Sequence, residues 1–310
     1  MYVVLVGPGA LGSLLTVHLA PLITATGGTF HLLDHRRDRA DNLARSGITL
    51  HKNERQRTVH PAVSSDPLTI ARCDILLLCV KSGDINKALQ HAASLVKNDT
   101  MVIGIQNGMT HLQQLRQSKG VAAVAVSSVG ATLSAPGQVI YGGGGITRFG
   151  LLAPHSPVPN FLKELLSLFN QARLEAEIVP DIHPYLWEKL FINVAINAVT
   201  AIHQRKNGQL LTSCAIRNTM KIAVSEAVAV AKAHGIPIIG DPINQAFSVC
   251  RKTRNNISSM WQDVLNKRPT EIGAINGYIV NEGKRLGIDT PVNADLVRQI
   301  RQIERSWREA

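Results

Sequence analysis

The first thirty-three residues carry no Asp, Glu, Lys or Arg; the first such charge is Asp34. So long an uncharged start leaves two readings, a membrane-directed segment or a strand and helix buried together. Gly7, Pro8, Gly9, Gly12, Pro21, Gly27 and Gly28 interrupt the run and no basic residue precedes it, which argues against both a leader and a span. Tyr2–Val6 therefore predicts a buried strand, Ala10–Leu19 a helix and Thr29–Leu33 a second strand. Gly7-Pro8-Gly9-Ala10-Leu11-Gly12 lies between the first strand and the helix, a G-x-G-x-x-G in the context a dinucleotide needs. In that reading Gly7 permits the tight turn, Gly9 lets the backbone approach a pyrophosphate, and Gly12 lets helix and strand pack closely. Pro8, Ala10 and Leu11 complete the loop, and the helix N-terminus supplies amide donors. A plain glycine turn is the alternative, but strand, loop and helix arrive in the right order.

Asp34 closes the second strand, where an acid would hold an adenine-ribose 2′-hydroxyl and favour NAD(H). His35, Arg36 and Arg37 follow at once, and an arginine there suits the 2′-phosphate of NADP(H), or merely a solvated turn. Both cofactors stay open at this point.

Further buried strands are expected at Ile75–Val80, Met101–Gly104 and Val121–Val126, with helices near Asp84–Val96 and Thr110–Gln117. This alternation predicts a parallel sheet covered on both faces. Residues 130–150 change to alternating and turn-rich sequence, so antiparallel strands are expected there, and Ala176–Val179 reads as a last strand. Beyond it lies almost nothing but helix: Pro184–His203, Gln209–His234, Pro242–Arg254, Thr270–Leu286 and Pro291–Arg308. The fold class is thus an α/β N-terminal domain followed by an all-α C-terminal domain, residues 1–180 and 181–310.

With 45% hydrophobic residues the 310-residue chain can bury two cores, and 4% aromatics leave little for stacking single-stranded nucleic acid. The net charge of +11 divides into +5 and +6 about Pro180, without a basic tail or patch. That distribution excludes a dedicated nucleic-acid segment and fits a small anionic ligand. Cys73, Cys79, Cys214 and Cys250 form no C-x-x-C pair and read as reduced thiols of a cytoplasmic protein; His183, His203 and His234 lack ligand spacing, so no metal is assigned. No membrane association is expected.

The most informative stretch is Trp187–Asn197. Lys189, Asn193 and Asn197 recur every four residues, so on a helix they share one narrow face. Leu190, Phe191, Ile192, Val194, Ala195 and Ile196 surround them. A polar stripe on so apolar a helix is costly unless it is hydrogen-bonded or lines a ligand cavity. A lysine in a partly dry site has a lowered pKa suited to proton delivery.

Taken together, the motifs resemble those of ketopantoate reductase (2-dehydropantoate 2-reductase). They run in order: Gly7–Gly12, Val80-Lys81, Gln106–Met109, Trp187–Ala201, Asn207-Gly208, Asn256–Asp263 and Arg268–Gly277. The resemblance spans nearly the whole chain, and it implies a Rossmann-type domain followed by a helical substrate and catalytic domain. It also implies NADP(H)-dependent reduction of 2-dehydropantoate, a small anionic keto acid, to pantoate on the route to pantothenate and coenzyme A. Lys189 would be the general acid, with Glu271 beside it organising the proton path. Asn193, Asn197, Asn207, Asn256 and Ser259 would bind substrate, while Lys81 and Asn107 would lie near the cofactor. Several of these residues have plainer readings. Glu271 could be a first-turn acid, Ser258 or Ser259 a helix cap, Asn107-Gly108 a turn, and Lys81 a solvated strand end. The family often has an arginine directly after the second strand, where this chain has Asp34-His35-Arg36. A reductase of another 2-keto or 2-hydroxy acid and a non-catalytic dinucleotide-binding regulator are the rival functions. The apolar helices after Pro184 could form a homodimer surface.

Overall fold

The computed structural model of the chain describes residues 1–307, which divide into two compact units. The first comprises residues 1–106 and 111–182, the second residues 107–110 and, of the described residues, 183–307. Arg308, the expected end of the last helix, lies outside the described residues.

In the first unit β1 (Tyr2–Val6) leads into α1 (Ala10–Ala25) and β2 (Thr29–Leu33). The chain continues through α2 (Arg37–Ser46), β3 (Ile48–Lys52), β4 (Arg55–Val59) and β5 (Ala62–Ser64). Next come β6 (Ile75–Leu78), α3 (Ile85–His91), β7 (Met101–Gly104), α4 (Leu112–Arg116) and β8 (Val121–Ser127). β9 (Gly130–Ala135), β10 (Gln138–Gly143), β11 (Thr147–Leu151), α5 (Asn160–Gln171) and β12 (Ala176–Ile178) complete it. Eight strands form one sheet in the order β12-β11-β8-β7-β6-β1-β2-β5, parallel throughout except where β11 meets β8. Its central strands are apolar because both faces are covered: Val3, Leu5, Ile75, Leu77, Met101 and Ile103 are buried on one face with Leu14, Val17 and Phe169, and Val4, Leu76, Leu78 and Val102 are buried on the other.

The order also sets where a ligand can bind. From β1 the chain moves to β2 on one side and later to β6 on the other, so a crevice opens beyond the carboxyl end of β1, at the glycine loop.

A second sheet, β4-β3-β10-β9, was not expected from the sequence. Residues 130–150 do contain antiparallel strands, but β10 also pairs in parallel with β3, a partner some ninety residues earlier in the chain. β3 and β4 form a hairpin whose turn places Asn53 at φ 54°, a conformation asparagine tolerates. Arg55, Gln56 and Arg57 on β4 are exposed, so the strand lacks the apolar alternation that would announce it.

The second unit is helical: α6 (His183–His203), α7 (Cys214–Ala233), α8 (Pro242–Lys252), α9 (Ser259–Leu265), α10 (Asn276–Leu286) and α11 (Pro291–Ser306). α7, α8, α9 and α11 all pack against α6, which is why α6 is apolar nearly all round. Two expected helices are shorter than their sequence suggests. Asn207–Thr212 forms a 3-10 turn before α7, and residues 271–275 make turns before α10, where Gly273 weakens helix continuation. Among the described residues no helix is long and apolar enough to cross a membrane.

Candidate active site

At the end of β1, Gly7 adopts φ +98°, a conformation that only glycine takes without strain, and a Cβ on it would meet Val80 Cγ1 at 2.8 Å. A Cβ on Gly12 would come within 2.1 Å of the Gly7 carbonyl, so helix and loop meet only because Gly12 is bare. Gly9 differs: a Cβ there would find nothing nearer than the Cys79 carbonyl at 3.9 Å. Its backbone faces open space. No side chain caps the amides at the start of α1, and no acid lies in its first turn. A tight loop, an open backbone and uncapped helix amides together match what a pyrophosphate requires.

Beside this loop Asp34 is almost wholly buried and its carboxylate is already committed. Arg39, from the first turns of α2, forks onto it: Nη2 donates to Oδ1 at 2.7 Å and Nε donates to Oδ2. The Arg36 backbone N–H donates to Oδ1 at 3.2 Å. Arg36 turns its own guanidinium to Asp38 on the surface, and Arg37 is exposed. Arg39 carried no signal in the sequence, because α2 is mostly polar and buries only Ala40 and Leu43, so nothing local marks which of its arginines turns back to Asp34. Lys81 stands at the start of a 3-10 turn, Ser82–Asp84, shortly after β6.

The polar stripe of the second unit lies on α6 as expected, on one face of an otherwise apolar helix. Asn197 is 6% exposed, and the Asn193 Nδ2 is buried with no hydrogen-bond partner. An amide held dry and unsatisfied is expensive, and it is the kind of group that a ligand oxygen completes. Burial lowers the Lys189 ammonium from the ordinary lysine value to about 8, with the Glu271 carboxylate pulling in the opposite direction.

Glu271 also joins Asn107, whose Nδ2 donates to Oε2 at 3.0 Å across 164 residues of sequence. Gly108 makes that meeting possible. It sits at φ +78°, and a Cβ on it would lie 2.3 Å from the Ala274 carbonyl, to which Met109 donates at 3.2 Å. Residues 107–110 are thereby fastened to the turns that carry Glu271.

Ser258 is the buried N-cap of α9, accepting from the Trp261 N–H at 3.1 Å, and Thr200 Oγ1 donates to its hydroxyl at 2.6 Å. The cap therefore ties α9 to α6 and leaves Ser259, in the first turn of α9, exposed. Asn207 and Asn256 are joined through their backbones, with Asn207 N donating to Asn256 O at 3.0 Å. Asn207 Nδ2 goes to Thr253 Oγ1 at 2.8 Å while its Oδ1 stays buried without a partner, and Asn256 is exposed. Thr200 is the member of this group that sequence reasoning misses; three positions beyond Asn197 it looks like one more residue of an apolar helix.

Two family models match in order along the chain. "Ketopantoate reductase PanE/ApbA" covers residues 3–154 and "Ketopantoate reductase PanE/ApbA C terminal" covers residues 181–304. The chain belongs to the ketopantoate reductase family. A 2-dehydropantoate 2-reductase of Vibrio cholerae is 33% identical over 313 residues, spanning 100% of both chains. A PanE/ApbA family ketopantoate reductase from Ralstonia eutropha superimposes with a TM-score of 0.88 at 28% identity, covering 99% of this chain and 100% of its own. A D-mandelate dehydrogenase solved with NADH and anilino(oxo)acetate superimposes at a TM-score of 0.87 and 23% identity, covering 99% of each chain, and shows likeness of fold alone. Among the described residues no cluster of His, Cys, Asp or Glu is arranged to hold a metal ion.

Proposed function

We propose that this ketopantoate reductase family member reduces 2-dehydropantoate to pantoate with NADPH, using Lys189 as the general acid. The observation that carries the proposal is a half-buried lysine, its pKa lowered by desolvation, beside a carboxylate and on the same helix as an unsatisfied asparagine Nδ2. A reduced nicotinamide dinucleotide, when bound, supplies the hydride that the ketone carbon accepts. The uncapped amides of α1 and the open backbone of Gly9 would hold its pyrophosphate, with Lys81 close to the same edge of the sheet. Every other role falls to the chain's side chains.

Negative charge builds on the ketone oxygen as it is reduced, and the Lys189 ammonium stabilises that charge before giving its Nζ proton to the alkoxide. A value of about 8 suits a proton donor, because the group stays protonated at neutral pH yet releases its proton more readily than an exposed lysine. Glu271 keeps the ammonium charged against the pull of burial, and Asn107 holds one oxygen of that carboxylate in place. Asn193 and Asn197 donate to substrate oxygens, and Ser259 holds the far end of the substrate. Asn207 and Asn256 act one step back, through the backbone bridge that positions the segment ahead of α9. Unpaired amides would penalise an analogue lacking the hydroxyl, which is how such a pocket selects a hydroxylated keto acid.

The test follows absorbance of NADPH and NADH with 2-dehydropantoate, beside Lys189→Ala. NADPH-dependent turnover that collapses in the variant supports the whole reading. Turnover of another 2-keto acid but not of 2-dehydropantoate retains the chemistry and replaces the substrate, and binding of a dinucleotide without turnover of any keto acid defeats the enzyme assignment.

A further inference from the structure

In dinucleotide-binding sheets of this kind, an acid at the end of the second strand accepts from the adenine-ribose 2′-hydroxyl and repels a phosphate at that position. Asp34 occupies that place, directly after β2, with its backbone N–H donating to Ser64 O at 3.0 Å. Yet its side chain has no exposed surface at all, so no ribose hydroxyl can reach it as it stands. Both carboxylate oxygens face Arg39, and the Arg36 backbone N–H takes a further lone pair. The pairing is fork to fork, the arrangement that gives an arginine–carboxylate pair its strength and fixed geometry. Arg39 itself keeps 28% of its side chain exposed and so covers the acid from the solvent side.

The neighbours are held far more loosely. Arg36 pairs with Asp38 where the two side chains are 54% and 69% exposed, a solvated surface contact that a more strongly charged anion can readily displace. Arg37 is 88% exposed. With Asp34 neutralised beneath Arg39, the turn after β2 offers guanidinium groups to an incoming nucleotide.

We infer that Arg39 masks Asp34, and that this masking makes the turn after β2 select an adenosine 2′-phosphate over a 2′-hydroxyl. Arg39 is a positioning residue in this scheme: it removes an acid from the site and need not touch the nucleotide. The inference rests on the dinucleotide reading given under Proposed function.

Calorimetric titration of NADPH and NADH into four proteins tests it without recourse to turnover: wild type, Arg39→Ala, Asp34→Asn and the double variant. Wild type binds NADPH the more tightly. Arg39→Ala uncovers the carboxylate, so NADPH weakens by at least about tenfold while NADH holds or tightens. In the double variant no carboxylate remains to be uncovered, and NADPH affinity returns to within about threefold of that of Asp34→Asn. An Arg39→Ala protein with an unchanged ratio overturns the inference. So does a double variant markedly weaker for NADPH than Asp34→Asn, which would make Arg39 a direct phosphate ligand. A loss of NADH affinity of about tenfold in Asp34→Asn also overturns it, because the acid would then touch the ribose. Arg39→Ala removes the guanidinium from a buried carboxylate and could fail to fold; Arg39→Gln, which keeps an amide donor for Asp34 but no charge to mask it, then takes its place, with the same fall in NADPH affinity relative to NADH expected and an unchanged ratio overturning the inference. Wild-type protein that binds neither dinucleotide defeats the cofactor reading itself, an outcome separate from any change of ratio.

Discussion

Lys189 is the residue on which most of the proposed chemistry turns, and its titration gives the sharpest expectations. A general acid must be protonated, so turnover should fall as pH rises through about 8, and this limb should vanish in Lys189→Ala along with most of the rate. The loss expected in kcat is about 10²–10⁴-fold, read from initial rates across a pH series. Stability should carry the same signature with the opposite slope. Burial disfavours the ammonium in the folded protein, so between about 8 and the ordinary lysine value the unfolded chain binds more protons, and stability gains with rising pH there. Below that window the cost is fully present. Lys189→Met, which keeps the volume and removes the charge, should therefore raise the thermal midpoint at pH 7, by an amount that shrinks as pH climbs past 8; an unchanged or lowered midpoint at pH 7 would mean the lysine is not penalised. Asn193→Ala should act mainly on KM, because a buried Nδ2 without a partner in the free protein forfeits no hydrogen bond when it is removed. A fall in thermal midpoint with KM untouched would assign it to packing instead.

Among the elements, the segment from Asn107 to Thr110 and the turns around Glu271 are joined by a close backbone approach. Gly108→Ala would require both a left-handed alanine and the displacement of the Ala274 carbonyl, so it should destabilise the protein by more than ~1 kcal/mol and cut activity through Glu271. Denaturant unfolding and kcat should move together in that variant. Ser258→Ala removes the cap of α9 and should cost about 1 kcal/mol. The serine pair also shows what local sequence can and cannot tell. That Ser258 or Ser259 caps a helix ahead of Met260 follows from residue type, but only the packed structure shows Ser258 doing so with Thr200 against it. The long helices rich in apolar residues, such as α6 and α7, stand out from the sequence. α2 does not, with two buried residues in ten, and neither does β4, whose exposed arginines give no alternation. These weakly patterned elements are stabilised mainly by what they pack or pair with, and a short window of sequence contains none of that information.

For the molecule as a whole, a dinucleotide that binds the folded protein alone must stabilise it by mass action, by about 2.7 kcal/mol at a hundred times its Kd. Gly12→Ala, whose methyl would overlap the Gly7 carbonyl, should abolish that thermal shift. A retained shift would place the dinucleotide elsewhere. The sequence alone determined the class of the fold and the family to which its motifs belong. An uncharged start broken by glycines at defined positions, apolar strands alternating with helices, and a four-residue polar spacing on an apolar helix are local patterns, and backbone geometry turns them into structure without further help. Tertiary structure decided the rest. It joined β10 to β3, brought Asn107 to Glu271 across 164 residues, and closed Arg39 over an acid that reads from sequence as a ribose ligand. Each of these depends on which groups meet in space and which are thereby dried, neutralised or left unsatisfied. Residue type and spacing carry the capacity for such contacts, while the partner is chosen only when the chain closes on itself.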